Sequence, residues 1–175
     1  MDEQTVREQR AKSRYAMTMM LSGRIAEDSA PQPADCAMRV AWHEAAHAVI
    51  ALAIGQTVPL TLRSVSVIPC AADGTLGRAL FGKPSADPKE QSKPLPIADD
   101  RHRAILVAFL VARTWKDVRR EMRWCRDYAR QLVRHAYPFE IAAVARALLE
   151  DGEMQAPDVV QLVGQVRAER RRHPA

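Results

Sequence analysis

The chain has 175 residues, of which 47% are hydrophobic and 27% charged, and its formal net charge is +5. These values are ordinary for a soluble globular protein with one buried core. The longest apolar runs, Ala45–Ile54 and Ala104–Ala112, are far shorter than the ~20 residues of a membrane span, which excludes a transmembrane helix. The basic residues gather at both ends and around Arg113–Arg134, a pattern that favours a solvated surface and disfavours nucleic-acid binding.

The cysteines and the first residues bear on the cellular compartment. Cys36, Cys70 and Cys125 are far apart in the sequence and form no Cys-x-x-Cys pair. The N-terminal residues are polar and lack the basic and then apolar pattern of a secretory signal. We therefore expect a reduced, cytoplasmic protein.

The N-terminal part of the chain is expected to be helical. Residues 1–34 are predicted to form a helix that ends near Gly23, followed by a linker rich in Pro, Ala and Asp. Its cluster of methionines, residues 17–20, indicates packing against the domain or against a partner. Asp35 is a suitable cap for the next helix, and Gly55 is suited to end it.

The middle of the chain predicts a small sheet. Val65–Pro69 is the clearest strand, a turn is expected at residues 72–74, and Arg78–Phe81 forms a short second strand. Residues 82–100, rich in Pro, Lys, Ser and Asp, are predicted to be a mobile loop.

From Arg101 onward the pattern is helical. Tyr137-Pro138 should break it, because a residue before proline is biased away from helical geometry. Two further helices are predicted at 139–149 and 157–170, with a basic tail at 171–175. The prediction is an α+β fold, mostly α-helical, with a small β-sheet and a C-terminal helical bundle, its main domain covering residues 35–170.

The run His-Glu-Ala-Ala-His at 43–47 is an instance of the His-Glu-x-x-His motif. On a helix, His43 and His47 lie one turn apart on one face, which is how a helix presents two imidazoles to one zinc ion. Glu44 lies beside that face, where its carboxylate can reach a metal-activated water. Both histidines share the inward stripe with Val40 and Ile50. Because buried polar groups need partners, we favour a metal site over a core helix with two hydrogen-bonded histidines.

Several runs carry a family resemblance: Val40–Val49, Val65–Pro69, Thr75–Arg78, Ala145–Glu150 and Asp158–Val160. Together they resemble the peptidase domain of the FtsH-type zinc proteases. In that family a His-Glu-Ala-Gly-His helix precedes a strand ending in Ile-Pro, a Leu-Gly turn and a closing pair of helices. The resemblance spans residues 38–165. It implies a zincin-like fold, in a small stand-alone protein without the AAA+ ATPase module.

The resemblance also implies a third zinc ligand, an acidic residue at the start of a later helix. In the family this residue follows a segment similar to Leu-Ala-Gly-Arg-x-Ala-Glu. The corresponding stretch here, Phe109–Asp117, has lost most of that pattern. The candidates are Asp117, which is preferred, Glu121 and Asp127, although each can also pair with nearby arginines at helical spacing. Leu21–Glu27 matches the missing segment better but precedes the motif, so we favour coincidence over circular permutation.

The expected function is a zinc-dependent metalloendopeptidase, with Zn²⁺ held by His43, His47 and Asp117 and with Glu44 as the general base. The alternative is a catalytically impaired or inactive descendant that serves as an interaction module. A nucleic-acid-associated protein is the weakest hypothesis. The expected partners are a peptide or unfolded protein substrate, bound along an edge of the Val65–Ile68 strand, and a separate ATPase if unfolding is required.

Overall fold

The computed structural model describes residues 2–31, 35–54, 61–69, 76–82 and 100–173. The elements in chain order are helices α1 (Glu3–Glu27) and α2 (Cys36–Ile54), strands β1 (Thr61–Ser66) and β2 (Arg78–Gly82), helices α3 (Asp100–Phe109), α4 (Trp115–Gln131) and α5 (Pro138–Asp151), strand β3 (Glu153–Gln155) and helix α6 (Ala156–Arg172). A π-helical turn, Leu132–Ala136, joins α4 to α5. The predicted fold class, α+β and mostly helical with a small sheet, is confirmed.

The sheet is antiparallel, with the strand order β2-β1-β3. Val65 of β1 pairs with Ala79 on one side and with Met154 on the other. The prediction that this strand offers a free edge is therefore wrong, because β1 is the middle strand. The sequence signal for β3 is weak: the strand has only three residues and directly follows Gly152, which turns the chain with a φ of 78°.

Helix α1 forms part of the core and is longer than predicted. Asp2 caps its first turn by accepting a 2.8 Å hydrogen bond from the Thr5 amide. The helix does not end at Gly23, because the next turn buries Ile25 and Ala26. Met17 is fully buried, so part of the predicted methionine cluster packs within this chain.

Helix α2 lies at the centre of the molecule, in contact with α1, α5 and the sheet. Asp35 caps it, as predicted, by accepting a 2.8 Å hydrogen bond from the Met38 amide. The predicted burial of this helix is confirmed, because its side chains from Glu44 to Ala51 are buried. The predicted end at Gly55 lies outside the described residues.

The C-terminal helices follow the predicted breaks with shifted bounds. Residues 110–114 separate α3 from α4, and Thr114 caps α4 by accepting a hydrogen bond from the Asp117 amide. Tyr137-Pro138 ends the preceding helical segment, as predicted, and Pro138 opens α5. The predicted turn at 72–74 and almost all of the predicted loop at 82–100 lie outside the described residues. Across the described segments, every helix is too short or too polar to cross a membrane.

Candidate metal centre

Helix α2 presents the two motif histidines to the same space. Their rings are 4.7 Å apart between centroids and nearly perpendicular, at 81°. His47 is almost fully buried, whereas His43 keeps about a quarter of its side chain exposed. Both Nε2 atoms approach the same carboxylate oxygen, so the two imidazoles converge on one point.

That carboxylate belongs to Asp100, the first residue of α3. Its Oδ2 atom lies 2.9 Å from Nε2 of His47 and 3.1 Å from Nε2 of His43. One ligand atom from each of the three residues lies within 4.8 Å of the others, and this His/His/Asp group could bind a metal ion. Two histidines and one carboxylate form a donor set that catalytic metal sites in proteins use.

The electrostatics of the group follow from its burial and its hydrogen bonds. Burial disfavours the charged form of Asp100, but hydrogen bonds from His43 and His47 outweigh this effect and hold the pKa of Asp100 well below its ordinary value. Burial likewise lowers the pKa of His47, but the hydrogen bond to Asp100 and the nearby charge of Glu44 reverse the net direction, and the pKa of His47 is raised. Both shifts favour the charged form of the residue, so the site stabilises a positive charge next to the Asp100 carboxylate.

The three ligand atoms lie within 4.8 Å of one another, close enough to share one ion. The two N–O distances, 2.9 and 3.1 Å, are those of hydrogen bonds, whereas ligand atoms of a tetrahedral zinc site with bonds of about 2.0 to 2.1 Å lie about 3.3 Å apart. Gly23 of α1 borders the space between the histidines. A Cβ atom added at Gly23 would lie 2.6 Å from Nε2 of His43 and 2.7 Å from Nε2 of His47. A methyl group would therefore fill the position between the two nitrogens, which glycine leaves open.

Glu44 lies beside the group but does not belong to it. Its side chain is buried near the start of β2, where a Cβ added at Gly77 would come within 3.0 Å of the Glu44 Cγ atom. Burial raises the pKa of the Glu44 carboxyl, and the charges of His47 and His43 only partly oppose this effect. A carboxyl whose pKa is raised toward neutrality can accept and return a proton near physiological pH.

Helix α1 covers the other side of both imidazoles. The Met19 carbonyl accepts a 2.9 Å hydrogen bond from Nδ1 of His47. The Glu27 carboxylate lies 3.5 Å from Nδ1 of His43. Each histidine therefore has Nε2 on the Asp100 side and Nδ1 on the α1 side.

The predicted acidic candidates lie elsewhere and have other partners. Asp117 accepts a 2.8 Å hydrogen bond from the Thr114 hydroxyl and pairs with Arg120 at 3.0 Å. Glu121 is buried and pairs with Arg14 at 2.6 Å. Asp127 pairs with Arg130 at 3.1 Å. The structure thus brings Asp100, and not the preferred Asp117, to the motif histidines.

Asp100 was missed because it stood at the end of the predicted loop and not at the start of a helix. The helical pattern in the sequence begins at Arg101, whereas α3 begins one residue earlier, at Asp100. Element boundaries are the least certain part of a sequence-based assignment. The resemblance also places the third ligand after the stretch Phe109–Asp117, and Asp100 precedes that stretch, so the expected position excluded it.

Comparisons with known proteins found no match for this chain. A scan against protein-family models matched none, and searches of curated proteins and of solved structures also gave no match.

Proposed function

We propose that this protein is a zinc-dependent metallopeptidase of the FtsH type, in which His43, His47 and Asp100 bind the ion and Glu44 is the general base. One observation carries the proposal: two histidines one helical turn apart and the carboxylate at the start of a later helix converge on one point, beside a buried glutamate. The inactive-module alternative depended on a missing third ligand, and Asp100 supplies a carboxylate at that point.

The donor set favours zinc. Imidazole suits several divalent metals of the first transition row, whereas a site made only of oxygen donors would suit magnesium or calcium. Two neutral imidazoles and one carboxylate give a tetrahedral zinc ion one remaining position for solvent or substrate. When bound, zinc polarises a carbonyl group and lowers the pKa of water toward about 7.

The buried glutamate has the properties that a general base requires. Glu44 follows His43 directly on α2, and its carboxyl is close enough to His47, His43 and Asp100 for their charges to shift its pKa. Burial raises its pKa, which strengthens it as a base toward water and lets the protonated form give the proton to a leaving amine. His43 and Asp100 keep about a quarter of their side chains exposed, so water can reach this side of the site.

The sheet suggests how an extended peptide would be held. Among the described strands, β2 is an edge strand, because it pairs with β1 on one side only. It begins beside Glu44, where Gly77 lies close to the Val40 and Glu44 side chains. An extended peptide that pairs with this edge by main-chain hydrogen bonds would pass the general base. We therefore assign the substrate edge to β2 and not to β1.

The segment Leu21–Glu27 lies beside the motif histidines. This segment resembles the one that precedes the third ligand in FtsH-type proteases, but here it lies before the motif in the sequence. In space, its Gly23 borders both motif histidines and its Glu27 approaches His43. A circular permutation would keep this segment directly before the third ligand, whereas Asp100 follows the motif and the first two strands. We therefore still favour coincidence over permutation.

The test is the substitution Glu44→Gln, which keeps the shape of the side chain but removes its basicity. We expect zinc to remain bound, at one ion per chain, and the hydrolysis of an unfolded protein such as casein to fall by at least about 100-fold. Zinc content by mass spectrometry and peptide release by fluorescence are the two measurements. The matched control is Asp127→Asn, an exposed acid paired only with Arg130 among the described contacts, which should keep both properties. Wild-type activity in the Glu44 variant would exclude the proposed mechanism.

A further inference from the structure

We infer that Glu27 is a positioning residue, which holds the His43 ring so that its Nε2 atom binds the metal. This inference rests on the proposed function. It concerns the face of α1 that contacts the two histidines, which supplies none of the three proposed metal ligands. The primary observation is the distance of 3.5 Å between Oε2 of Glu27 and Nδ1 of His43, while Nε2 of the same ring faces Asp100.

The neighbouring histidine also has its Nδ1 atom beside an oxygen of α1, and there the contact is a hydrogen bond to a backbone carbonyl. Nδ1 of His47 donates to the Met19 carbonyl, because a carbonyl oxygen can only accept. Nδ1 therefore carries the proton, and a neutral His47 has its lone pair on Nε2, on the Asp100 side. Metal-binding histidines commonly donate their second ring nitrogen to a carboxylate or a backbone carbonyl, which fixes the tautomer and orients the ring.

The geometry of α1 explains why one helix can serve both rings. Met19, Gly23 and Glu27 are spaced by four residues, so they follow one another along a single face of α1. That face packs on α2 at the two histidines. Met19 accepts a hydrogen bond from His47, Gly23 leaves space beside both Nε2 atoms, and Glu27 places a carboxylate 3.5 Å from Nδ1 of His43.

The surroundings of Glu27 favour a charged acceptor. Its side chain is only 16% exposed, and two largely exposed arginines pair with it, Arg24 at 3.1 Å and Arg39 at 3.2 Å. These two ion pairs hold the carboxylate beside the His43 ring. An ordinary account would treat Glu27 as an acid that only links α1 to α2 through Arg39. The two accounts differ in what they predict for metal binding.

The experiment measures zinc affinity of the full chain by competition with a chromophoric chelator. Glu27→Gln keeps the length of the side chain, weakens the acceptor and removes the charge that pairs with Arg24 and Arg39. We expect affinity to fall by about tenfold, the lower end for residues that support a metal ligand. The matched control is Asp28→Asn, which removes a neighbouring exposed carboxylate that pairs with Arg24 at 3.8 Å. This control should stay within about twofold of the wild type.

Each outcome decides a specific point. If wild type and Glu27→Gln bind zinc equally well, Glu27 is not a positioning residue, and the proposed function stands. If both variants lose affinity equally, the effect is general electrostatics and the inference fails. If the wild type binds no zinc, the proposed function fails and the inference fails with it. Thermal unfolding of both metal-free variants checks that they are folded.

A second measurement does not depend on any variant. In the wild-type protein with zinc, the ¹⁵N chemical shifts of the His43 imidazole distinguish the bound nitrogen from the protonated one. We expect a protonated Nδ1, slow to exchange with solvent, and a metal-bound Nε2. Metal binding through Nδ1 would overturn the inference even if Glu27→Gln did not fold.

Discussion

Two acidic side chains with cationic neighbours, Asp100 and Glu121, have different roles in this molecule. Both come from later helices and both contact residues of the first two helices. Asp100 lies between two imidazoles of α2, whereas Glu121 of α4 pairs with Arg14 and, at 3.6 Å, with Arg10 of α1. In both cases these partners hold the pKa of the carboxyl below its ordinary value, against the opposing effect of burial at Asp100.

The two carboxylates differ in whether their partners can lose a proton. A guanidinium stays charged at any pH that a protein experiences, so the ionised Glu121 keeps its arginine partners throughout. An imidazole can give up its proton, and the nitrogen that is freed becomes a metal ligand. Asp100 can therefore exchange its hydrogen bonds with histidine for a shared ion. A carboxylate surrounded by histidines is a candidate ligand, and one surrounded by arginines is structural.

The largest expected effect is the loss of metal binding in Asp100→Asn. The substitution keeps the volume of the side chain but replaces the carboxylate, one of the three proposed ligands, with a neutral amide. We expect zinc affinity to fall by more than about 100-fold, beyond the range for residues that only support a ligand. Equilibrium dialysis against zinc, followed by mass spectrometry, measures the effect.

The control is Asp117, the residue that the sequence favoured as the third zinc ligand. Asp117→Asn should leave zinc affinity unchanged, because Asp117 contacts Thr114 and Arg120 and lies outside the histidine group. A variant at Asp117 that loses zinc while Asp100→Asn retains it would reverse the assignment of the third ligand.

The second-largest expected effect is on the stability of the fold, to which Glu121 should contribute more than Asp100. Glu121→Gln removes a buried charge from beside Arg14, which is still one-third exposed and can be hydrated. We expect the free energy of unfolding to fall by about 2 kcal/mol, below the full range for breaking a buried pair. Urea unfolding of the metal-free protein gives this value. The exposed pair Asp127–Arg130 is the control, and Asp127→Asn should change stability by less than about 0.5 kcal/mol.

Zinc affinity of the folded Glu121→Gln protein should remain within about threefold of the wild type, because the side chain is not a ligand. A large loss of affinity in this variant would mean that the two acids are not functionally separate.

The sequence predicted what depends on local spacing and missed what depends on long-range contacts. His43 and His47 share a face because a helix repeats every 3.6 residues, and Asp35 and Pro138 mark helix starts by local chemistry. The meeting of Asp100 with these histidines spans more than 50 residues and has no local signal. The packing of Gly23 on the site is equally non-local. A helix-ending glycine and a glycine that permits close packing are indistinguishable in the sequence.

The smallest effect is a difference in pH dependence between the two acids in the metal-free protein. The pKa of His47 is raised, so its contribution to stability is complete below its unfolded value, about 6.5, and is lost as pH rises through the folded value. The pKa of Asp100 is lowered, so its contribution is present above about 3.9 and is lost as pH falls through the folded value. Their interaction is therefore strongest between about pH 4 and 6.5.

Asp100→Asn should consequently destabilise the metal-free protein more at pH 5.5 than at pH 9, by about 1 kcal/mol in the free energy of unfolding. Glu121→Gln should destabilise it equally at both pH values, since Arg14 stays charged and Glu121 stays ionised. Comparing two variants of one protein cancels the titration of groups that neither substitution affects; Glu44 is not one of them, because the charge of Asp100 contributes to its raised pKa. Urea unfolding at the two pH values, with a chelator present, gives all four free energies. Equal pH dependence in the two variants would show that the histidines do not share a proton with Asp100, and the physical distinction between the two acids would be lost.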